Sequence, residues 1–312
     1  MNILFLDPVT LSSTATRYTY YNGLFFELQK QHNVYHYTGV PQDFAELEGK
    51  IGFKADYIVF GLGWFKHKCY GHIKNLNIPS ACFLFKPQNQ LAEKLEFCRI
   101  NNVDLILTPV PEMEKYEEIS GVRTELFPYG FDPLTFSPRP INIKYDIGFS
   151  GALHQSQHYP NDAFHVENLR PKIGALLQSV EGVRTFWKSS DVTSTAYVHD
   201  MKEYAATINS SRMWIATLAA YGDVTPRFYE VLGSGTLLFC QQIPEAYKFL
   251  LKDDINCVTF KDDLNDFEEK IRFYINHPDE AARITQVAAQ FFHNHCTWSA
   301  RAGALCKQLA EL

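Results

Sequence analysis

The feature that most constrains this chain is an alternation of two hydrophobic patterns that runs, stops once and starts again. Short apolar runs at residues 2–7, 33–38, 55–60, 80–85 and 103–107 are rich in Ile, Val, Phe and Tyr and are closed by Pro, Gly or Asp. Each has the character of a strand buried on both faces. Between them, residues 20–31 place Leu24 and Leu28 four apart, and residues 89–101 set Leu91, Leu95 and Cys98 on one stripe. That spacing predicts crossover helices, so the first half reads as a β-α-β series with a parallel sheet. Residues 127–140 then pack four prolines and a glycine into fourteen positions. Proline at that density stops both helix and central strand, which marks a linker. The alternation resumes with strands expected at 145–149, 183–187, 213–218, 236–240 and 257–260. The prediction is an α/β chain with two doubly wound domains, 1–138 and 139–295. A C-terminal helix at 296–312 is expected to pack back on the first domain.

Composition narrows the partners. A chain of 312 residues has room for about two domains with real cores. With 29 Lys+Arg against 35 Asp+Glu, the net charge of -6 speaks against nucleic acid or an anionic membrane. Seven scattered cysteines with no C-x-x-C pair fit neither a disulfide framework nor a zinc ribbon, which points to a reducing compartment. No secretory h-region follows the N-terminus and no apolar stretch approaches 18 residues, so a soluble cytoplasmic protein without an integral membrane segment is expected. Aromatics reach 14%. Phe267, Tyr274, Phe291, Phe292 and Trp298 fall on helical stripes and read as packing. Tyr18, Tyr20, Trp64, Phe65 and Trp187 fall in loops or at strand ends, where a flat face can stack on a sugar or a base.

The strongest local signal is residues 223–240, DVTPRFYEVLGSGTLLFC. Thr225 is a good N-cap, Pro226 suits the first helical position, and Gly233 and Gly235 end a short helix before a strand. An open helix N-terminus attracts phosphate, and Arg227 in its first turn adds a fork-shaped cation. Glu230, three residues on, can accept hydrogen bonds from two neighbouring hydroxyls of a ribose. An ordinary Arg227–Glu230 surface pair accounts for the same residues equally well.

The segments PRFYEVLGSGTLLF, EKIRFYINHPDEAARI and FFHNHCTWSARA resemble the C-terminal module of the spore-maturation (CgeB-like), group 1 type glycosyltransferases of the GT-B superfamily. The resemblance extends back through INSSRMWIATLA, YDIGFSGALH and ELFPYGFDPLTFSP. It implies a GT-B fold, two Rossmann-like domains facing a cleft. It also implies a glycosyltransferase that is hexosyltransferase-like and retaining, moving a sugar from a nucleotide-diphosphate sugar to a glycan, lipid-linked or protein acceptor. On this resemblance Glu230 holds the ribose and Arg227 lies near the diphosphate. Ser150 and Gly151 form the turn whose N–H groups approach the phosphates, and Thr236 follows a small-residue turn close to the nucleotide. Arg170 is a second diphosphate candidate. Upstream, where related retaining enzymes carry an acid, stands Gly222, with Asp223 adjacent as the donor-sugar candidate.

The first domain departs further from the pattern. Its opening loop, VTLSSTATRY, lacks the glycine pair of many relatives. Lys86, after the fourth strand, is a candidate for stabilising a departing phosphate, and Asp7, after the first, is an alternative base. A strand-end lysine in solvent and a turn-capping aspartate are the plain readings of both. His67 is a weaker cleft candidate. Gly61-x-Gly63 lacks a third glycine, which removes a nicotinamide fingerprint. No D-x-D pair exists and the histidines at 154, 158, 165, 293 and 295 form no four-ligand set, so no metal and no cofactor are expected beyond the co-substrate. A non-catalytic nucleotide-sugar-binding or scaffold protein and a nucleotide-sugar epimerase are the alternatives.

Overall fold

The computed structural model describes residues 1–6, 22–39, 41–62, 71–85, 87, 90–153, 167–190, 200–219 and 221–312. It divides into two compact units, Met1–Pro128 with Trp298–Leu312, and Tyr129–Thr297.

The first unit contains β1 (Asn2–Leu6), α1 (Asn22–Gln31), β2 (Asn33–Tyr37), α2 (Phe44–Ile51), β3 (Tyr57–Leu62), β4 (Ser80–Leu84), α3 (Leu91–Ile100), β5 (Leu105–Thr108), α4 (Met113–Ser120) and β6 (Thr124–Leu126). Its strands form one sheet in the order β2-β1-β3-β4-β5-β6, and every pairing is parallel. The runs inside the sheet are buried as their lack of alternation requires, all five residues of β4 among them, whereas β2, at the sheet edge, leaves Asn33 and Tyr35 exposed and its other residues half-buried, so that run is not covered on both faces. Local chemistry sets the helix ends. The Asp43 carboxylate accepts from the Ala45 and Glu46 N–H groups at 2.9 and 3.2 Å, and Gly52 stops α2 at φ 63°.

The second unit holds β7 (Tyr145–Ala152), α5 (Arg170–Ser179), β8 (Thr185–Ser190), α6 (Met201–Asn209), β9 (Ser211–Ala216), α7 (Pro226–Gly233), β10 (Leu237–Gln241), β11 (Val258–Phe260), α8 (Phe267–Asn276) and α9 (Pro278–His295). Its five strands are again all parallel, in the order β11-β10-β9-β7-β8. Ile147, Phe149, Ile215, Phe239, Phe260 and Phe267 meet in the core under these strands. Leu264 adopts a left-handed φ of 60°, outside the helical range, and α8 begins after it at Phe267. Pro278 opens α9 at its first position.

The division between the units falls ten residues before the predicted 138, because all of the proline-rich segment after Pro128 packs in the second unit. Phe131 donates its N–H to the Cys296 carbonyl at 3.2 Å. Phe136 meets Tyr204 edge-on at 6.0 Å, and the Arg139 N–H donates to Asn209 at 2.9 Å. Proline blocks secondary structure there without making the chain a free tether. The last helix, α10 (Trp298–Ala310), belongs to the first unit, where it packs on α1. At Gly23 a Cβ would lie 2.2 Å from the Trp298 ring, so only glycine admits this approach. Among the described residues no helix is long and apolar enough to cross a membrane.

Candidate functional site

In each sheet the strand order reverses at one point, and the crevice outside the carboxyl ends of the strands flanking that point is where doubly wound folds bind ligands. In the first unit the point lies between β1 and β3. Asp7 and Lys86 lie outside the described residues, as do His67, Tyr18, Tyr20, Trp64 and Phe65.

In the second unit the reversal lies between β7 and β9, and here the side chains are described. β7 ends on Phe149, Ser150, Gly151 and Ala152, and β9 runs into Thr217. Arg170, at the first position of α5, is buried and spans the two strand ends. Its Nε donates to the Thr217 hydroxyl at 2.8 Å and its Nη1 to the Ala152 carbonyl at 2.9 Å. Arg170 is therefore a brace that fixes the crevice walls.

α7 supplies the charged pair. Thr225 takes the extended conformation of an N-cap but makes no side-chain cap bond, and its buried hydroxyl has no hydrogen-bond partner among the described residues. Arg227 donates from Nε to the Tyr204 hydroxyl at 3.0 Å, and its guanidinium carbon lies 5.8 Å from the centre of the Phe149 ring. At Gly151, with φ 154°, a Cβ would stand 3.0 Å from Arg227 Nη1. The guanidinium thus lies against the turn that ends β7, and glycine permits it. Glu230 shares this surroundings. It is partly exposed, yet burial raises its carboxyl to about 7, against the opposing pull of Arg227 and of a hydrogen bond from Tyr204. Tyr204, from α6, is itself pushed up to about 12 by burial, and its hydroxyl also neighbours the Ser150 side chain.

Ser150, Gly151, Arg227, Glu230 and Thr225 accordingly come from the β7 end and the α7 start, with Arg170 behind them. Two other expected residues stand differently. Thr236 precedes β10 at the opposite, N-terminal edge of the sheet, and its hydroxyl is bound to the Ile208 carbonyl at 3.0 Å. A small residue there serves the α6 end and does not reach this crevice. Asp223 is partly exposed in the turn before α7, where its carbonyl accepts from the Ala219 N–H at 3.1 Å. Gly222 in that turn has φ 78°, a left-handed conformation costly for the acidic side chain that the resemblance places there. Trp187 is a packing residue and not a stacking platform: it stacks on Phe149 at 4.4 Å and covers Gly174. His293 bonds the Gly233 carbonyl at 2.8 Å, closing the end of α7. Tyr204 and Thr217 carry no motif and escape a reading of local patterns.

The architecture, two parallel doubly wound sheets each with helices, is a GT-B fold. Solved structures share it along the whole chain. Sucrose-phosphate synthase from Thermosynechococcus elongatus matches with a TM-score of 0.63 and 13% identity, over 100% of this chain and 99% of that one. HepE from Anabaena, in complex with UDP-glucose, gives 0.60 and 12%, over 100% of both chains. AviGT4, a glycosyltransferase involved in avilamycin A biosynthesis, gives 0.54 and 10%, over 100% and 98%. Residues 167–307, from the approach to α5 into α10, match the family model described as glycosyl transferase-like. The second half of the chain is thus similar to a glycosyl transferase-like family, and the whole chain shares its fold with these solved structures. Comparison with curated proteins by sequence gives no significant match.

Proposed function

We propose that the protein transfers a sugar from a nucleotide-diphosphate sugar held at the β7 and α7 ends of the second unit. The observation that carries this is the placement of Arg227 and Glu230, tied to one tyrosine, at the point where the second sheet reverses its strand order. A diphosphate needs a fixed cation and inward N–H groups; Arg227, the Ser150–Gly151 turn and the start of α7 offer both. A ribose needs an acceptor for two hydroxyls, and the Glu230 carboxylate is one. The HepE structure holds UDP-glucose, which supports a donor of this class.

In this reading the protein contributes positioning and charge. Departure of the nucleoside diphosphate places negative charge on the β-phosphate oxygen, and Arg227 with the α7 N-terminus stabilises it without a metal. The resemblance favours a hexosyl donor and retention at the anomeric carbon. Lys86 and Asp7 are the first unit's candidates for charge stabilisation and base, and Thr225 and Asp223 complete the donor surface.

Titration with nucleotide sugars tests the reading. Glu230→Ala is expected to weaken donor binding about tenfold, the scale of hydrogen bonds to a charged group. Unchanged affinity would remove Glu230 from the site. Transfer is expected to survive excess chelator; loss restored by manganese or magnesium would overturn the metal-free mechanism. Donor binding without hydrolysis or transfer on any acceptor would instead mark a binding protein, which Gly222 in the acidic position favours, and donor conversion without acceptor would mark an epimerase.

A further inference from the structure

Arg227 and Glu230 can serve one donor only if both are held at fixed angles, and a long side chain on a helix surface is not held by its own helix. Tyr204 supplies the restraint from outside α7. It is buried, with its ring edge-on to Phe136 at 6.0 Å and to Trp214 at 5.9 Å, so its hydroxyl has a fixed position. That oxygen accepts from Arg227 Nε at 3.0 Å and neighbours both the Glu230 carboxylate and the Ser150 hydroxyl. A phenol has one proton and two lone pairs, so donating to the carboxylate while accepting from the guanidinium uses it without conflict. The three groups it joins come from β7 and α7, and Tyr204 itself comes from α6.

We infer that Tyr204 is a positioning residue of the donor site, whose hydroxyl sets the Arg227 guanidinium for the diphosphate and the Glu230 carboxylate for the ribose. The inference rests on the donor reading above. It carries a signature that a packing role lacks. Among the described residues, the charged and titratable groups that act on the Glu230 carboxylate are Arg227, on its own helix, and Tyr204, from α6. The Tyr204 hydrogen bond favours the ionised carboxylate. Its loss therefore moves the ionisation of Glu230 to higher pH.

Calorimetric binding of UDP, GDP, ADP, CDP and dTDP between pH 5.5 and 8.5 tests this on the full chain. The wild type is expected to bind at least one of them, more weakly as Glu230 is protonated. Tyr204→Phe, which keeps the ring packing, is expected to lower that affinity about tenfold and to shift the midpoint of the pH curve to higher pH. Wild-type binding with an unshifted midpoint in the variant overturns the inference and leaves the donor reading standing, even where affinity drops uniformly. Absence of binding by the wild type overturns both. Should Tyr204→Phe fail to fold, 3,5-difluorotyrosine at position 204 keeps the hydroxyl and makes it a stronger donor. The midpoint is then expected to move to lower pH, and a fixed midpoint refutes the assignment.

Discussion

The two ends of the second sheet each carry a carboxylate and arginine, and they are built to opposite purposes. At the N-terminal edge Asp146 sits in β7 with its side chain 8% exposed. It accepts from Arg184 N–H, Nε and Nη2 at 3.0, 3.0 and 2.7 Å, and from Arg212 Nε at 3.2 Å. Those bonds hold its carboxyl below the usual carboxylate range, with hydrogen bonding to Arg184 the largest cause and burial opposing it. At the C-terminal edge Glu230 has Arg227 on its own helix, yet burial outweighs that charge and lifts its carboxyl to about 7. The same residue types therefore give a closed structural clamp at one end and an acid poised near neutrality at the other. Perturbation toward neutrality, more than the presence of an ion pair, separates a site from a strut.

The largest expected contrast comes from the arginines. Arg227→Ala is expected to weaken nucleoside diphosphate binding about 30-fold to 100-fold, the loss of a charge-assisted contact, while leaving thermal stability nearly unchanged. Arg184→Ala should do the reverse, lowering the melting temperature with nucleotide affinity intact. Calorimetric titration beside thermal unfolding reads both quantities, and equal loss of binding in the two variants would break the comparison.

A smaller effect tests the clamp itself. Asp146→Ala is expected to cost about 2 kcal/mol of stability, since it strands two partly exposed guanidinium groups that water can still reach. Chemical denaturation measures this directly. A cost under about 0.5 kcal/mol would place Asp146 among ordinary surface pairs.

Much of this layout is legible in the sequence because it is written in local patterns. Apolar runs announce parallel strands, and all ten expected runs overlap a strand, with 55–60, 103–107 and 183–187 each starting two residues before β3, β5 and β8. Thr225, Pro226 and Arg227 announce the start of α7 by capping chemistry alone. What local pattern does not encode is the partner across space. Tyr204 is one of 17 tyrosines, on a helix turn with no motif, and only the fold brings its hydroxyl to Arg227. Thr236 fails for the converse reason. Its position beside two glycines reads as a nucleotide turn, but a strand has two ends, and sequence does not say which end a residue before it serves. The β6 strand, Thr124–Leu126, carries one apolar residue in three and so does not announce itself, whereas β11, equally short, does.

The smallest effect is in the pH dependence, where the two ends should differ in sign. Asp146 has a folded-state pKa below its unfolded one. Its contribution to stability is present above the unfolded value, near 4, and is lost as pH falls through the lower folded value. Glu230 has a folded pKa of about 7, above its ordinary 4.5. Burying it costs nothing below about pH 4, and stability declines as pH rises from there toward 7, because the folded state resists ionisation that the unfolded chain accepts. Replacing Glu230 by glutamine removes that cost, so Glu230→Gln is expected to gain about 1 kcal/mol at pH 8 and almost nothing at pH 4. The same variant should bind nucleotide more weakly at pH 8, because an amide offers one acceptor oxygen where the carboxylate offers two. Stability gained where binding is lost is the mark of a residue retained for its ligand. Denaturation curves of Glu230→Gln at pH 4 and pH 8 decide it: an equal shift at both values would mean that Glu230 ionises as an ordinary surface acid, and the contrast between the two ends of the sheet would vanish.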